Sequence, residues 1–292
     1  MTFPLLVPCT AGSTLVLSQE ETLPGTLSHQ GPSLADVPVV ILCGGMSMWP
    51  ASETEIAPKP MLKIGPHPIL WHLMKIYSHF GCRRFILCLG QRMEVIKEWV
   101  LNCQLMENDF TVYQGPKPRH LLHGSNAKVD WEITCADTGQ ETMTGGRVHR
   151  IAPYVKSEHF FVTYGDGLAD IDIRKLFQFH LKEGRIGTVT GVAPDSRFGV
   201  IESASGRKVD RFREKPQLDS AVSGGFFVFR REFFLRLDPN SVLEREPLTR
   251  LAADGQLSLY RHKGFWKSMD TYRDFVEYNE MWKRGDTPWR VW

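Results

Sequence analysis

The sequence predicts an α/β protein: a mostly parallel sheet flanked by helices, with a small mixed β region in the C-terminal half. A continuous apolar run, Val37-Pro38-Val39-Val40-Ile41-Leu42-Cys43, ends in Gly44-Gly45, which is how a buried parallel strand entering a loop reads. Strand-like and helix-like segments then alternate at a spacing that suits right-handed crossovers. Beyond Gly187 the texture changes to short strands.

Taken in order, residues 1–36 are rich in Ser, Thr, Gly and Pro and show no sustained period. They predict a flexible extension in front of one domain spanning 37–292. After the first strand, Ile69 to Tyr77 carries apolar residues at helical spacing behind Pro68 and stops near Gly81. Arg84 to Gly90 reads as a second strand and Arg92 to Leu101 as a second helix. Phe160 to Tyr164 is another apolar run, leading into the glycine-flanked Asp166, and Ile173 to Leu181 is helical. A carboxylate at the carboxyl end of a parallel strand is where open α/β sheets place ligands. Thr188 to Ala193, Phe198 to Glu202 and Phe226 to Phe229 read as short strands, and the last 50 residues, 243–292, as helix.

Composition narrows the function. With 42% hydrophobic and 23% charged residues over 292 positions, the chain can bury a core and is neither disordered nor fibrous. A net charge of +2 predicts no nucleic-acid and no membrane partner, so any bound anion needs a local site. The apolar stretch Met1 to Gln19 is broken by Pro4 and Pro8, and no Lys or Arg precedes Asp36, which predicts neither a membrane span nor a secretory signal. Cys9, Cys43, Cys82, Cys88, Cys103 and Cys135 form no C-x-x-C pair and read as reduced packing thiols of a cytoplasmic protein.

Five constellations bear on chemistry. In the loop from Gly44 to Pro60, the pair Gly44-Gly45 lets backbone approach a phosphate, and Lys59, fixed between Pro58 and Pro60, aims a positive charge at the same oxygens. A structural turn with a surface lysine reads the same. Asp166 in G-D-G and Asp270 in M-D-T are carboxylates that suit a cation, or equally turn and cap residues, Asp270 being placed to cap a following helix. Glu214-Lys215-Pro216 follows a strand, and Thr144-Gly145-Gly146-Arg147 reads as a helix start. Of the eight tryptophans, Trp266, Trp282, Trp289 and Trp292 lie near the C-terminus and predict either core packing or an oligomer surface.

In this order the glycine pair, Pro58-Lys59-Pro60-Met61, Asp137-Thr138-Gly139, Met143 to Arg147, Thr163 to Asp172, Arg197-Phe198-Gly199, Phe212 to Pro216 and Gly264 to Thr271 resemble the sugar-1-phosphate nucleotidylyltransferases, over about Val37 to Trp292. Within that family the likeness is to the branch that transfers a cytidylyl group. The resemblance implies a Rossmann-like nucleotidyltransferase sheet and a transfer from CTP, or a related nucleotide, to a sugar 1-phosphate, glucose 1-phosphate being favoured, with release of pyrophosphate. It places Gly44, Gly45 and Arg147 on the nucleotide, Lys59 on the phosphates, and Asp166 and Asp270 on Mg²⁺. Gly165, Glu214, Lys215 and Gly224 fall to the sugar and its phosphate, with Lys59, Asp166, Lys215 and Asp270 as the catalytic set. It also implies a homo-oligomer.

The chain departs from the family pattern in two places. Where the family loop reads G-G-x-G-T-R, this chain has Ser47, Met48 and Trp49, and Ser223 stands where the family has an asparagine before G-G-F-F. Trading arginine for tryptophan removes a planar cation that grips two phosphate oxygens at once. The alternative reading is therefore a diverged relative that performs other chemistry on a sugar phosphate or nucleotide-sugar, or only binds one.

Overall fold

The computed structural model describes residues 33–44, 58–114, 116, 119–123, 130–193, 198–214 and 221–292. Most of the 1–36 extension, the loop with Gly45, Ser47, Met48 and Trp49, and the positions of Arg197, Lys215 and Pro216 lie outside them. Ser33 caps a single 3-10 turn over Leu34–Asp36, and Leu34 packs against the core.

Chain order begins with β1 (Val39–Leu42), the short hairpin β2 (Lys63–Ile64) and β3 (His67–Pro68), and α1 (Ile69–His79). It continues through β4 (Arg84–Leu89), α2 (Met93–Met106), β5 (Asp109–Tyr113), β6 (Arg119–His123), β7 (Glu132–Asp137) and α3 (Thr144–Arg150). Next come β8 (His159–Tyr164), β9 (Gly167–Ala169), α4 (Ile173–Glu183), β10 (Gly187–Val192), β11 (Val200–Glu202) and β12 (Arg211–Arg213). The chain then forms β13 (Val222–Arg230), α5 (Glu246–Ala253), β14 (Leu257–Arg261), β15 (Trp266–Ser268) and α6 (Tyr272–Arg284).

Seven strands form the central sheet in the order β14-β10-β13-β8-β1-β4-β7. All run the same way except β13, which is antiparallel to both of its neighbours. β1 lies in the interior of this sheet, and its apolar run is explained by burial on both faces. Val39 and Ile41 point into one hydrophobic cluster with α1 and α4, while Val40 and Leu42 point into a second with Val148 of α3 and Leu251 of α5. The α/β class and the mostly parallel sheet agree with the sequence expectation, and the C-terminal half supplies the small antiparallel pieces, β11 with β12 and β15 with β9.

The segments around Thr188 and Phe226 join the main sheet as β10 and β13, and the antiparallel β13 makes that half of the sheet mixed. One expectation changes. The last 50 residues are not all helix: β14 is the edge strand beside β10, and β15 pairs with β9. Each is short and carries mixed polarity, so its strand character comes from its neighbours and not from its own pattern. Trp289 is fully buried, and Trp266, Trp282 and Trp292 pack against the core, which accounts for the C-terminal tryptophans. Among the described residues Cys43, Cys82, Cys88, Cys103 and Cys135 are free thiols.

Candidate active site

The carboxyl ends of β1 and β8 lie side by side, with Leu42 opposite Tyr164, and Gly165 N–H continues the ladder by donating to Leu42 O at 3.0 Å. The segments leaving the two strands therefore meet at one place. Beyond β8 is Asp166. After β1 and its loop the chain returns at Pro58 in a 3-10 turn over Lys59–Met61, closed by Met61 N–H donating to Pro58 O at 2.8 Å. Prolines on both sides of Lys59 restrict its backbone, and Pro60 packs over Gly165, where a Cβ would stand 2.9 Å from the proline ring.

Asp270 reaches the same point from more than a hundred residues away. β9 and β15 are antiparallel with Gly167 opposite Ser268, and Met269 N–H donates to Asp166 O at 2.7 Å. That register sets the residue before β9 beside those after β15. Lys59 Nζ consequently lies 3.4 Å from Asp166 Oδ2 and 3.6 Å from Asp270 Oδ1. Burial pushes the Asp166 carboxyl up from its usual range, Lys59 draws it down, and the like charge of Asp270 raises it again. Asp270 does not cap α6: Thr271 does, in a reciprocal box with Asp274, while the Asp270 carboxylate accepts from Ser268 Oγ at 2.6 Å.

Two carboxylates with an ammonium already seated beside both make a donor set that suits a divalent cation. Such a set leaves the remaining coordination positions to water and phosphate, as a hard cation of Mg²⁺ type requires. Among the described residues no group of three or more His, Cys, Asp or Glu gathers as a metal cage.

A cleft of about 340 Å³ opens from this cluster; Lys59, Pro60, Gly165 and Asp166 line one part, and Gly44, Gln91, residues 140–144, Arg147 and Tyr164 the rest. Arg147, expected on the nucleotide, belongs to α3, contributes to this lining and is 4% exposed. Its Nη1 donates to Leu89 O, Thr138 Oγ1 and Gly139 O at 2.8 to 3.0 Å, and its Nη2 to Gly44 O and Gln140 O at 3.2 and 3.1 Å. Arg147 thus ties the ends of β1 and β4 to the turn after β7. Gly44 owes its identity to this brace, because a Cβ there would lie 2.1 Å from Arg147 Cζ.

Two other expected residues belong to β13 and to the β11–β12 ribbon. Gly224 O in β13 accepts from Trp266 Nε1 at 2.8 Å, and Gly225 beside it has φ of 77°, with the Tyr164 ring where a side chain would be. Glu214 follows β12 on the β11–β12 ribbon, on the side of Gly199. Gly45 and Lys215 lie outside the described residues. The sequence reading missed Glu244, which accepts from the Tyr164 phenol and from Thr144 Oγ1 at 2.7 Å; in the sequence it is one acid of the charged stretch Glu244-Arg245-Glu246, with nothing in its spacing to single it out.

A mostly parallel sheet with a cleft at its carboxyl edge, a lysine between two aspartates and a glycine over a buried arginine define an α/β protein that takes its ligand at the ends of its strands. The Nucleotidyl transferase family matches residues 38–284, and the chain belongs to it. The chain is 42% identical over 257 residues to glucose-1-phosphate cytidylyltransferase of Salmonella typhimurium, covering 87% of this chain and 98% of that one. It is 41% identical over 255 residues to the probable glucose-1-phosphate cytidylyltransferase of Bacillus subtilis, covering 87% and 99%. The crystal structure of HddC from Yersinia pseudotuberculosis shares the fold, with a TM-score of 0.61 at 20% identity over 84% of this chain and 99% of that one. No helix among the described residues is long and apolar enough to cross a membrane.

Proposed function

We propose that this chain transfers a cytidylyl group from CTP to glucose 1-phosphate, giving CDP-glucose and pyrophosphate, with Mg²⁺ as its metal. The observation that carries the reading is Lys59 held between Asp166 and Asp270 at one part of a cleft that runs on to Gly44 and the Arg147 brace. The names of the relatives supply the choice of base and sugar.

In the reaction an oxygen of the sugar 1-phosphate forms a bond to the α-phosphorus of CTP while the bond to the pyrophosphate oxygen breaks. Two anions must be brought together, so positioning and charge neutralisation supply most of the catalysis. Lys59 would turn from the aspartates toward phosphate oxygens when substrates enter. Asp166 and Asp270 would hold the Mg²⁺, which when bound neutralises phosphate charge. The residues braced by Arg147 would seat the nucleotide, with Gly44 and Gly45 at its phosphates, while Gly165, Gly224, Glu214 and Lys215 serve the sugar and its phosphate. A cytoplasmic site suits the supply of both substrates, and a homo-oligomer is part of the proposal. The β5–β6 ribbon exposes Phe110, Val112 and Leu121, and a monomer by analytical ultracentrifugation at micromolar concentration would remove that part.

The test is pyrophosphate release with CTP, glucose 1-phosphate and Mg²⁺, run beside a variant carrying Ser47→Gly, Met48→Thr and Trp49→Arg. Release by the natural sequence is the expected result. Silence from it, with activity in the variant, would overturn the proposal and point to a refitted loop.

A further inference from the structure

We propose that Glu244 is a specificity residue that grips a pair of sugar hydroxyls on one of the two substrates; the inference rests on the cytidylyl-transfer reading and extends it. Tyr164 and Thr144 both line the cleft, from opposite sides of the chain's topology: one ends β8 beside Asp166, the other begins α3. Glu244 joins them. The Tyr164 phenol donates to its Oε1 and Thr144 Oγ1 donates to its Oε2 at 2.7 Å, while Thr144 Oγ1 in turn accepts from Leu243 N–H at 3.0 Å.

These bonds fix both the position and the role of the carboxylate. A phenol has one O–H to donate, and that of Tyr164 goes to Glu244. An ionised carboxylate offers about four acceptor sites. Two are occupied by Tyr164 and Thr144, Glu244 is solvent-exposed, and no Lys or Arg pairs with it among the described residues. An unneutralised carboxylate bonded to two residues that line a cleft for two phosphorylated substrates repels their phosphates. What it can accept is hydroxyl protons, and an acidic side chain taking a ribose hydroxyl is an established use of such a group in nucleotide-binding α/β folds. Here two hydroxyls of the protein hold the carboxylate with its remaining acceptor sites free for two hydroxyls of a ligand.

Ribose and hexose share that chemistry, and substrate analogues separate them. The experiment measures kcat/KM of wild type and Glu244→Gln with CTP, 2′-deoxy-CTP and 3′-deoxy-CTP at fixed glucose 1-phosphate, and with 2-deoxyglucose 1-phosphate at fixed CTP. In wild type, loss of the hydroxyl that Glu244 grips lowers kcat/KM on the order of 10- to 100-fold, the range for a hydrogen bond to a charged group. In Glu244→Gln the same analogue costs much less. Coupling with a deoxynucleotide assigns the ribose, and coupling with the deoxysugar assigns the hexose. Glu244→Gln lowering every substrate by one common factor would overturn the inference, leaving Glu244 only a tie between Tyr164 and Thr144. Tyr164→Phe, which keeps the carboxylate and frees one of its bonds, retains part of the discrimination. If wild type releases no pyrophosphate, the cytidylyl-transfer reading fails, and the same cycle run in dissociation constants still decides the role of Glu244.

Discussion

Arg147 and Lys59 are two cations of one cleft, and they are held in different ways. Arg147 is buried, meets only neutral oxygens, and spends its Nη donors on five of them drawn from three segments of chain. Lys59 is partly open and faces two carboxylates at 3.4 and 3.6 Å. The first arrangement fixes a shape, because every partner is a group that must be satisfied once buried. The second fixes only a charge balance, and such contacts exchange readily when a phosphate and a divalent cation arrive together. A cleft that binds charged substrates is served by both: a wall that does not move and a cluster that can change partners.

The comparison breaks most visibly at the wall. Arg147→Met is expected to cost more than about 4 kcal/mol of stability, since it orphans several buried acceptors together. Denaturant unfolding checks it, and a loss under about 1 kcal/mol would show that water replaces the guanidinium and that the wall is softer than its hydrogen bonds imply. The cluster should answer in the opposite manner. Asp166→Asn and Asp270→Asn are each expected to lower kcat/KM by on the order of 10² to 10³. Asp166→Asn should not lower the melting temperature, because burial and like charge already disfavour the ionised Asp166 in the fold.

Acid sharpens the contrast by weakening the fold from sites outside both regions. His72 and His180 are buried, and burial pushes each down to about 4 from its ordinary 6.5. Between these values the unfolded chain binds protons that the native one refuses. Stability is therefore full above pH 6.5 and falls as the pH drops toward 4, by up to about 3 kcal/mol for each histidine. Melting curves across that window check the slope, and His180→Gln should flatten its share. The smallest effect is expected at Thr271, which caps α6 next to Asp270: Thr271→Ala should cost about 1 kcal/mol. A larger loss in kcat/KM than in stability would show that the cap also aims the Asp270 carboxylate.

The sheet was legible where burial imposes a pattern. β1, β4 and β8 are apolar runs because both of their faces are covered, and α1 and α4 show helical spacing, α1 bounded by Pro68 and Gly81. β5 and β6 were not legible, being solvent-exposed along almost all their length, with no core to write an alternation into the sequence. Asp166 stood out as a glycine-flanked acid after a strand. Its meeting with Asp270 depends on the pairing of two three-residue strands far apart in sequence, which no local spacing encodes, and only the family resemblance anticipated it. Arg147 was legible as a residue of interest. That its guanidinium serves backbone carbonyls, and not open solvent, depends on the depth of α3 behind β1 and β4, a property of the folded chain alone.

The pairing of β9 with β15 also makes the site depend on the far end of the chain. β1, β4, β7 and β8, with Gly44, Lys59, Arg147 and Asp166, all precede Trp266 in sequence. A chain cut short before Trp266 would keep every residue of the Arg147 brace, yet it would lack Asp270 and the strand that brings it to Lys59. Only a chain translated past Asp270 carries both of the carboxylates that face Lys59.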